Sequence, residues 1–324
     1  MNSHHEQCMK AIVIEKFGGP EELMLKKMAI PEPNPGEVQI RISYAAVNPV
    51  DWKIRQGHLH PKIPHQFPII LGWDASGTIS KVGQGVDQFK VGDEVFAYCR
   101  KPTIQWGTYA EYVCLEAENV AHKPTNLSFA QAAAFPLSGL TAWQSLFDVT
   151  KIKEGDSVLI QAGAGGVGSL AIQFAKIAGA TVFTTGSESN HTFLKRLGAD
   201  IVIDYRNDSI EEIVKNHTKN GLDIIFDTIG GEVYRNSYKL LKRGGKIVSL
   251  LEQPNKELEE KYGVESFYVF VVPNGNELED IANLIQEGKV VPIPIHEFPL
   301  EKAAEAHESS QEGHVQGKIV LKIM

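Results

Sequence analysis

The sequence predicts an α/β protein in two parts, a doubly wound parallel sheet of six strands and a mostly β unit. Three observations carry this expectation. From Ser128 onward, short apolar strands alternate with helix-length segments, the pattern of successive βαβ units. Before that point the chain is a series of short strands cut by Gly and Pro, one of them with clean period-2 alternation. Finally, VLIQAGAGGVGSLAIQFAK, from Val158 to Lys176, reads as strand, tight glycine turn and helix.

Bulk composition narrows the class. The 324 residues suit two domains, and 43% hydrophobic with 22% charged residues is ordinary for a globular protein. A net charge of −8 with no basic block argues against nucleic acid or an anionic membrane as partner. No apolar run of about 18 residues is present, so no membrane span is expected. Cys8, Cys99 and Cys114 are odd in number and widely spaced, which fits reduced thiols in a cytoplasmic protein better than a disulfide framework.

Along the chain, residues 1–8 read as a loose extension. Strands begin near Met9. In EVQIRISYAAV, Val38, Ile40, Ile42 and Tyr44 alternate with polar residues, the mark of a half-buried strand. GTISKVGQGVDQFKVGDEVFAY holds four glycines and reads as strands joined by turns. From Ser128, a plausible N-cap, SFAQAAAFPLSGLTAWQSLF is helical with a break near Pro136. The six strands are then SVLIQ, TVFTT, DIVIDY, LDIIFDTI, KIVSLL and FYVFVV. A helix, a proline-rich connector, a second helix and the strand KIVLKI follow, and that last strand is expected to return to the β unit. The domains are therefore 9–127 with 275–324, and 128–274.

Gly163, Gly165 and Gly168 satisfy G-x-G-x-x-G between a strand and a helix, the context in which this pattern holds a dinucleotide pyrophosphate. The turn Gly163, Ala164, Gly165, Gly166, Val167 and Gly168 is thus a candidate cofactor site, its helix N-terminus facing phosphate. No Lys-Ser/Thr follows, so it is not a nucleoside-triphosphate loop. An NAD site wants an acid about 20 residues beyond the first glycine. Here that strand ends in Thr185, Gly186 and Ser187, with Ser187, Ser189 and Asn190 able to donate to a 2′-phosphate and Arg206 able to add positive charge. NADPH is the expected cofactor. Capping of the next helix would select the same Ser and Asn residues.

The glycine turn, the PxPGEV opening, NPVDWKIRQG, ILGWDASGTISKVG, GDEV, GTYAEY, LGAD and the closing GKIVL together resemble the medium-chain dehydrogenase/reductase superfamily. They look most like its zinc-free, zeta-crystallin-like quinone oxidoreductase branch, with a Rossmann domain and a GroES-like catalytic domain. Zinc members place a Cys ligand where this chain has Asn48, and His and Glu where it has Trp73 and Asp74. An amide and an indole are not Zn²⁺ ligands, so no metal is expected. His58, His60 and His65 in a Pro-rich loop read as solvated or pocket-mouth residues.

The resemblance implies that Asn48 contacts the nicotinamide with Asp51 nearby. Asn48, Pro49 and Asp51 would equally make a standard helix start. Tyr44, placed on the apolar face, is either core or a proton donor. Trp52, Trp73 and Trp106 are candidates to stack on a planar acceptor. The resemblance further suggests Thr141 near the phosphates, Tyr205 near the adenosine phosphate, and Thr228, Leu250, Phe270 and Val271 along the nicotinamide slot, with Lys318 reaching in from the tail.

The expected activity is zinc-independent hydride transfer from NADPH to a quinone. Reduction of an enone or enoyl thioester needs the same cofactor face and is the nearest alternative. A non-catalytic NADPH-binding structural or sensor protein is a third. The resemblance and the apolar sixth strand, lying at a sheet edge, imply a homodimer.

Overall fold

The structure, a computed structural model, describes residues 8–324. The expected extension over residues 1–8 falls outside that range except at Cys8, which already opens the strand Cys8–Ile14. Cys8 is paired with Ala29 in an antiparallel ladder, so backbone pairing carries the strand one residue ahead of the apolar pattern. Cys8 is exposed, Cys99 and Cys114 are buried, and all three are free thiols.

The chain divides into two compact units. Of the described residues, one comprises those up to Leu137, Val272–Glu287 and Pro292–Met324; the other comprises Ser138–Val271 and Gly288–Val291. The division therefore falls after Ser128. The helix Phe129–Ala133 stays with the β unit, tied by Ser76 Oγ donating to the Phe129 carbonyl at 2.5 Å. Ser128 does cap this helix: its hydroxyl accepts the Gln131 N–H at 3.2 Å, and the Gln131 side chain returns to the Ser128 N–H at 3.0 Å. A second helix, Pro136–Trp143, begins at the expected break.

The second unit is built on one parallel sheet of six strands. Numbered along the chain these are Ser157–Ile160, Thr181–Gly186, Ile201–Asp204, Leu222–Asp227, Leu241–Ser249 and Glu265–Tyr268. Their order is 3-2-1-4-5-6, which puts a switch point between the first and fourth strands. The first, second and fourth strands are almost wholly buried, and so is the end of the fifth over Ile247–Ser249, as a parallel sheet covered on both faces requires. The sixth strand ends earlier than FYVFVV suggests. Its ladder pairs Lys246–Ser249 with Glu265–Tyr268, and the last bond is Val269 N–H to the Ser249 carbonyl at 2.9 Å. The strand therefore closes at Tyr268, and Phe270 and Val271 lie beyond it.

The first unit holds two sheets. The larger centres on Glu37–Val47, flanked by Asp74–Val82 and by the returning strand Lys318–Lys322. Val38, Ile40, Ile42, Val95, Val113 and Leu115 make its core. The period-2 face of Glu37–Val47 does not reach Tyr44. The ladder to Asp74–Val82 slips between Ile42 and Tyr44, skipping Ser43, and such a bulge turns the following side chains out of phase. No helix among the described residues is long and apolar enough to cross a membrane.

Candidate active site

In the second unit the glycine turn joins Ser157–Ile160 to the helix Gly166–Ile177. A Cβ on Gly163 would stand 2.1 Å from Thr184 Oγ1, and one on Gly168 would stand 2.5 Å from the Ala162 carbonyl oxygen. Packing therefore demands both glycines. Gly165 differs. Its φ of −76° suits any residue, and a Cβ there would meet only the Ala162 oxygen at 3.6 Å. Nothing within the chain requires glycine at 165; the space it leaves is open to a ligand. Ala162 sits at φ 51°, a left-handed conformation costing about 1–2 kcal/mol. Bonds of 3.0 Å from the Ala162 N–H to Thr185 Oγ1 and from the Gly163 N–H to the Thr185 carbonyl hold it there. The first turn of the helix leaves N–H groups without intrahelical acceptors. These residues fit a dinucleotide pyrophosphate.

The carboxyl ends of the strands bring most of the other cofactor candidates into one row. Gly186 is paired with Asp204, so Ser187 neighbours Tyr205 and Arg206. Tyr205 is 52% exposed, with the Arg206 guanidinium 5.5 Å over its ring. Ser187 Oγ lies 3.0 Å from both Ser189 Oγ and Asn190 Nδ2. No side chain there caps the following helix His191–Arg196, so capping does not account for these residues. Glu188 is exposed, and Asp204 accepts from the Arg206 N–H and Asn207 Nδ2, which ties it into its own turn. On the other side of the switch point, Thr228 Oγ1 donates to the Gln161 carbonyl at 3.0 Å, and Leu250 follows the fifth strand with its N–H on Asp227. Thr141 lies buried in Pro136–Trp143.

In the first unit the chemistry gathers around Asn48. The helix Pro49–Arg55 starts as expected, with Pro49 first and the Asp51 carboxylate accepting the Asn48 N–H at 2.8 Å. The Asn48 side chain is turned elsewhere. Its Nδ2 donates to Asp74 Oδ2 at 2.9 Å, and its Oδ1 accepts from Lys318 Nζ. Lys318 Nζ also lies 3.6 Å from Asp74 Oδ2, with both side chains buried. Asp74 Oδ1 takes the Leu137 N–H at 2.7 Å. One ammonium balances one carboxylate, and Asp74 has it. Asp51, equally buried, is left with hydrogen bonds; burial pushes its carboxyl up to about 7. Burial also raises Asp74 and lowers Lys318, while each holds the other back.

Tyr44 does not join this cluster. Its hydroxyl donates to Glu297 at 3.2 Å, and burial, with the Glu297 charge second, raises its pKa. Nor do the three tryptophans form one surface. Trp73 is core, edge-on to Tyr98 at 6.0 Å, Trp106 is 44% exposed on a short strand, and Trp52 meets His58 at 6.2 Å. His60 and His65 pack edge-on around Phe17 at 5.5 Å, and His65 Nδ1 is bonded to the Ile63 carbonyl.

Comparison with known proteins agrees with this arrangement. Residues 34–125 match the alcohol dehydrogenase GroES-like domain, and residues 197–321 match the zinc-binding dehydrogenase family. A chloroplastic NADPH-dependent alkenal/one oxidoreductase of Arabidopsis thaliana is 36% identical over 97% of this chain and 79% of its own length. The chain belongs to the medium-chain dehydrogenase/reductase superfamily. A chloroplast envelope quinone oxidoreductase homolog of the same plant is 32% identical, over 98% of this chain and 99% of that one. The structure of a quinone oxidoreductase from Coxiella burnetii superposes with a TM-score of 0.87 at 36% identity, covering 98% of this chain and all of that one.

As a member of this superfamily the protein is an NAD(P)H-dependent oxidoreductase, yet its residues do not fit the zinc that the matched family's description names. The ligand positions hold an amide, a core indole and a carboxylate already engaged by an ammonium. Sequence reasoning missed Tyr109 and His307 here. Tyr109 Oη donates to Asp51 at 2.9 Å and lies 3.1 Å from His307 Nε2, all buried. Tyr109 sits inside the GTYAEY motif, which marked it without a role. His307, in AAEAHESSQ, looks like a surface histidine, and no local signal distinguishes it.

Proposed function

We propose that this protein transfers a hydride from NADPH to a quinone without a metal ion. The observation that carries the reading is the Lys318 ammonium lodged against Asn48 and Asp74. A cation bonded into the protein on two sides offers no open Lewis-acid position, which suits an acceptor that is already electron-poor. NADPH would supply the hydride when bound. Gly165 and the first turn of Gly166–Ile177 would hold its pyrophosphate. Ser187, Ser189, Asn190 and Arg206 would take the 2′-phosphate, the absence of an acid at Gly186 and Ser187 favouring it over NADH. Thr228, Leu250 and Phe270 would serve the nicotinamide end. Fixed orientation of the reacting groups would lower the barrier, by up to about 7–11 kcal/mol.

Reduction of a conjugated C=C is the second reading, favoured by the alkenal/one oxidoreductase at 36% identity. A direct assay separates the two. Loss of NADPH absorbance at 340 nm is followed with 1,4-benzoquinone, 9,10-phenanthrenequinone and 3-nonen-2-one, with NADH in parallel and a chelator in duplicate runs. Chelator-insensitive turnover fastest with quinones and NADPH is expected. A faster enone moves the assignment to the second reading, and chelator sensitivity sinks both.

We also propose a homodimer through the sixth strand, Glu265–Tyr268, the last in the order of its sheet. Light scattering at micromolar concentration is expected to give twice the chain mass of 35.7 kDa; the chain mass alone rules the pairing out.

A further inference from the structure

Asn-Gly occurs twice in the chain, at Asn220–Gly221 and at Asn274–Gly275. This dipeptide carries its own chemistry, because glycine has no side chain to shield its amide nitrogen from the side-chain carbonyl of the preceding asparagine. Reaction requires that the fold leave the two groups free to meet, and the two copies differ in that respect.

Asn274 is tied down. It is the N-cap of the helix Gly275–Gln286, and its Oδ1 accepts the N–H groups of Asn276 at 3.1 Å and Glu277 at 3.2 Å. Its Nδ2 donates to Glu277 Oε1 at 2.8 Å. Gly275 is buried, and a Cβ on it would stand 2.4 Å from the Glu118 carbonyl oxygen. Closing a ring between Asn274 Cγ and the Gly275 nitrogen would break the cap and turn a packed backbone.

Asn220 has no such restraint. It is exposed, in the bend between the helix Ile210–His217 and the fourth strand, Leu222–Asp227. Among the described residues neither its side chain nor the Gly221 N–H has a hydrogen-bond partner. The far side of Gly221 is occupied. Its φ is +100°, and a Cβ there would stand 2.8 Å from the Leu240 oxygen, the Leu241 carbonyl carbon and the Lys242 nitrogen. The next residue, Leu222, pairs with Leu241 in the ladder to the fifth strand.

We propose that Asn220 is a site of spontaneous covalent modification, deamidating through a succinimide to aspartate and isoaspartate while Asn274 stays intact. Hydroxide takes the proton from the Gly221 nitrogen, which then bonds to Asn220 Cγ. The Cγ–Nδ2 bond breaks, and the water just formed returns the proton to the departing nitrogen, which leaves as ammonia. A second water opens the ring at one of its two carbonyls. Opening at Cγ gives an aspartate with the main chain unchanged. Opening at the main-chain carbonyl gives an isoaspartate, whose main chain runs through Cβ and Cγ and is longer by one atom. Nothing is oxidised or reduced.

The two products act differently on the sheet. Aspartate adds a charge at an exposed position. Isoaspartate inserts an atom directly before Gly221, which backs onto the fifth strand without room for a Cβ, and so pushes against the pairing of Leu222 with Leu241.

The test follows peptides spanning each site by liquid chromatography and mass spectrometry while the whole protein is incubated at pH 7 and pH 9, folded or in guanidinium chloride. In the folded protein position 220 is expected to convert into two products of acid mass, faster at pH 9 because the Gly221 nitrogen must first lose its proton. Position 274 should react at least about tenfold more slowly, since its cap must open first. In the unfolded chain the two sites should react alike. Asn220→Gln, which would need a six-membered ring, should keep its amide. The separated isoaspartyl form should melt below Asn220→Asp, which should melt with the wild type. An intact position 220, or equal rates at the two sites in the folded protein, overturns the proposal. Amide loss from Asn220→Gln at the wild-type rate means plain hydrolysis and overturns the succinimide route. An isoaspartyl form that melts with Asn220→Asp overturns the effect on the sheet.

Discussion

Gly165→Val is expected to leave the melting temperature within about 2 °C of wild type and to weaken NADPH binding at least 100-fold, about 2.7 kcal/mol. The two effects separate because a side chain at 165 meets open space, apart from one oxygen at 3.6 Å, in the place where a pyrophosphate would approach the backbone. Gly163→Ala should behave in the opposite way. Its Cβ would strike Thr184 Oγ1, and Ile172 and Leu194 lie within 3.0 Å, so a stability loss of about 1–3 kcal/mol is expected from overpacking. Thermal melts and fluorescence titration with NADPH read the two variants side by side. Undiminished NADPH affinity in Gly165→Val would remove the glycine turn from the cofactor site.

Lys318→Met should be among the most destabilising single changes in the first unit. It leaves Asp74 buried with only the Asn48 amide and the Leu137 N–H as donors, and breaking one side of a buried ion pair costs about 3–5 kcal/mol. The loss should depend on pH. Without its counter-charge, Asp74 in the folded variant keeps a proton that the unfolded chain releases above the ordinary carboxylate value of 3.8. Stability of the variant therefore falls as pH rises through that window. Asp74→Asn combined with Lys318→Met should recover much of the loss, since the unpaired charge is gone. Urea unfolding at pH 5 and pH 8 measures both points. Equal, small losses at both pH values would mean that the ammonium is not compensating a buried carboxylate.

What the sequence made legible was local. The alternation of strands and helices after Ser128, the glycine turn and the Asn48–Pro49 helix start all lie within a few residues of one another, so spacing alone exposes them. The helix Lys256–Tyr262 was not among the expected elements, because KELEEKY has no apolar stripe; the Asn255 cap on the Leu258 N–H and the left-handed Gly263 mark its ends. Tyr44 misled because a single residue, Ser43, is skipped in the ladder to Asp74–Val82 and resets the phase of its strand. Nothing local in the sequence marks Arg55 or His307 as buried. Only their contact in the folded chain shows it, and that pairing spans 252 positions of sequence. The site's charge balance is of the same kind, since no window of sequence contains both Asn48 and Lys318.

That last separation has a consequence for how the protein is made. Asn48 and Lys318 are 270 positions apart, and the whole of the second unit is translated between them. At about 5–20 residues per second, a ribosome takes roughly 15–50 s to cover that interval. During it the nascent first unit carries Asp51 and Asp74 with no cation to balance either, and one edge of Glu37–Val47 open where Lys318–Lys322 will later pair. The nucleotide-binding unit can complete its own sheet in the meantime. The larger sheet of the first unit is thus closed along that edge only after Lys318–Lys322 has been made.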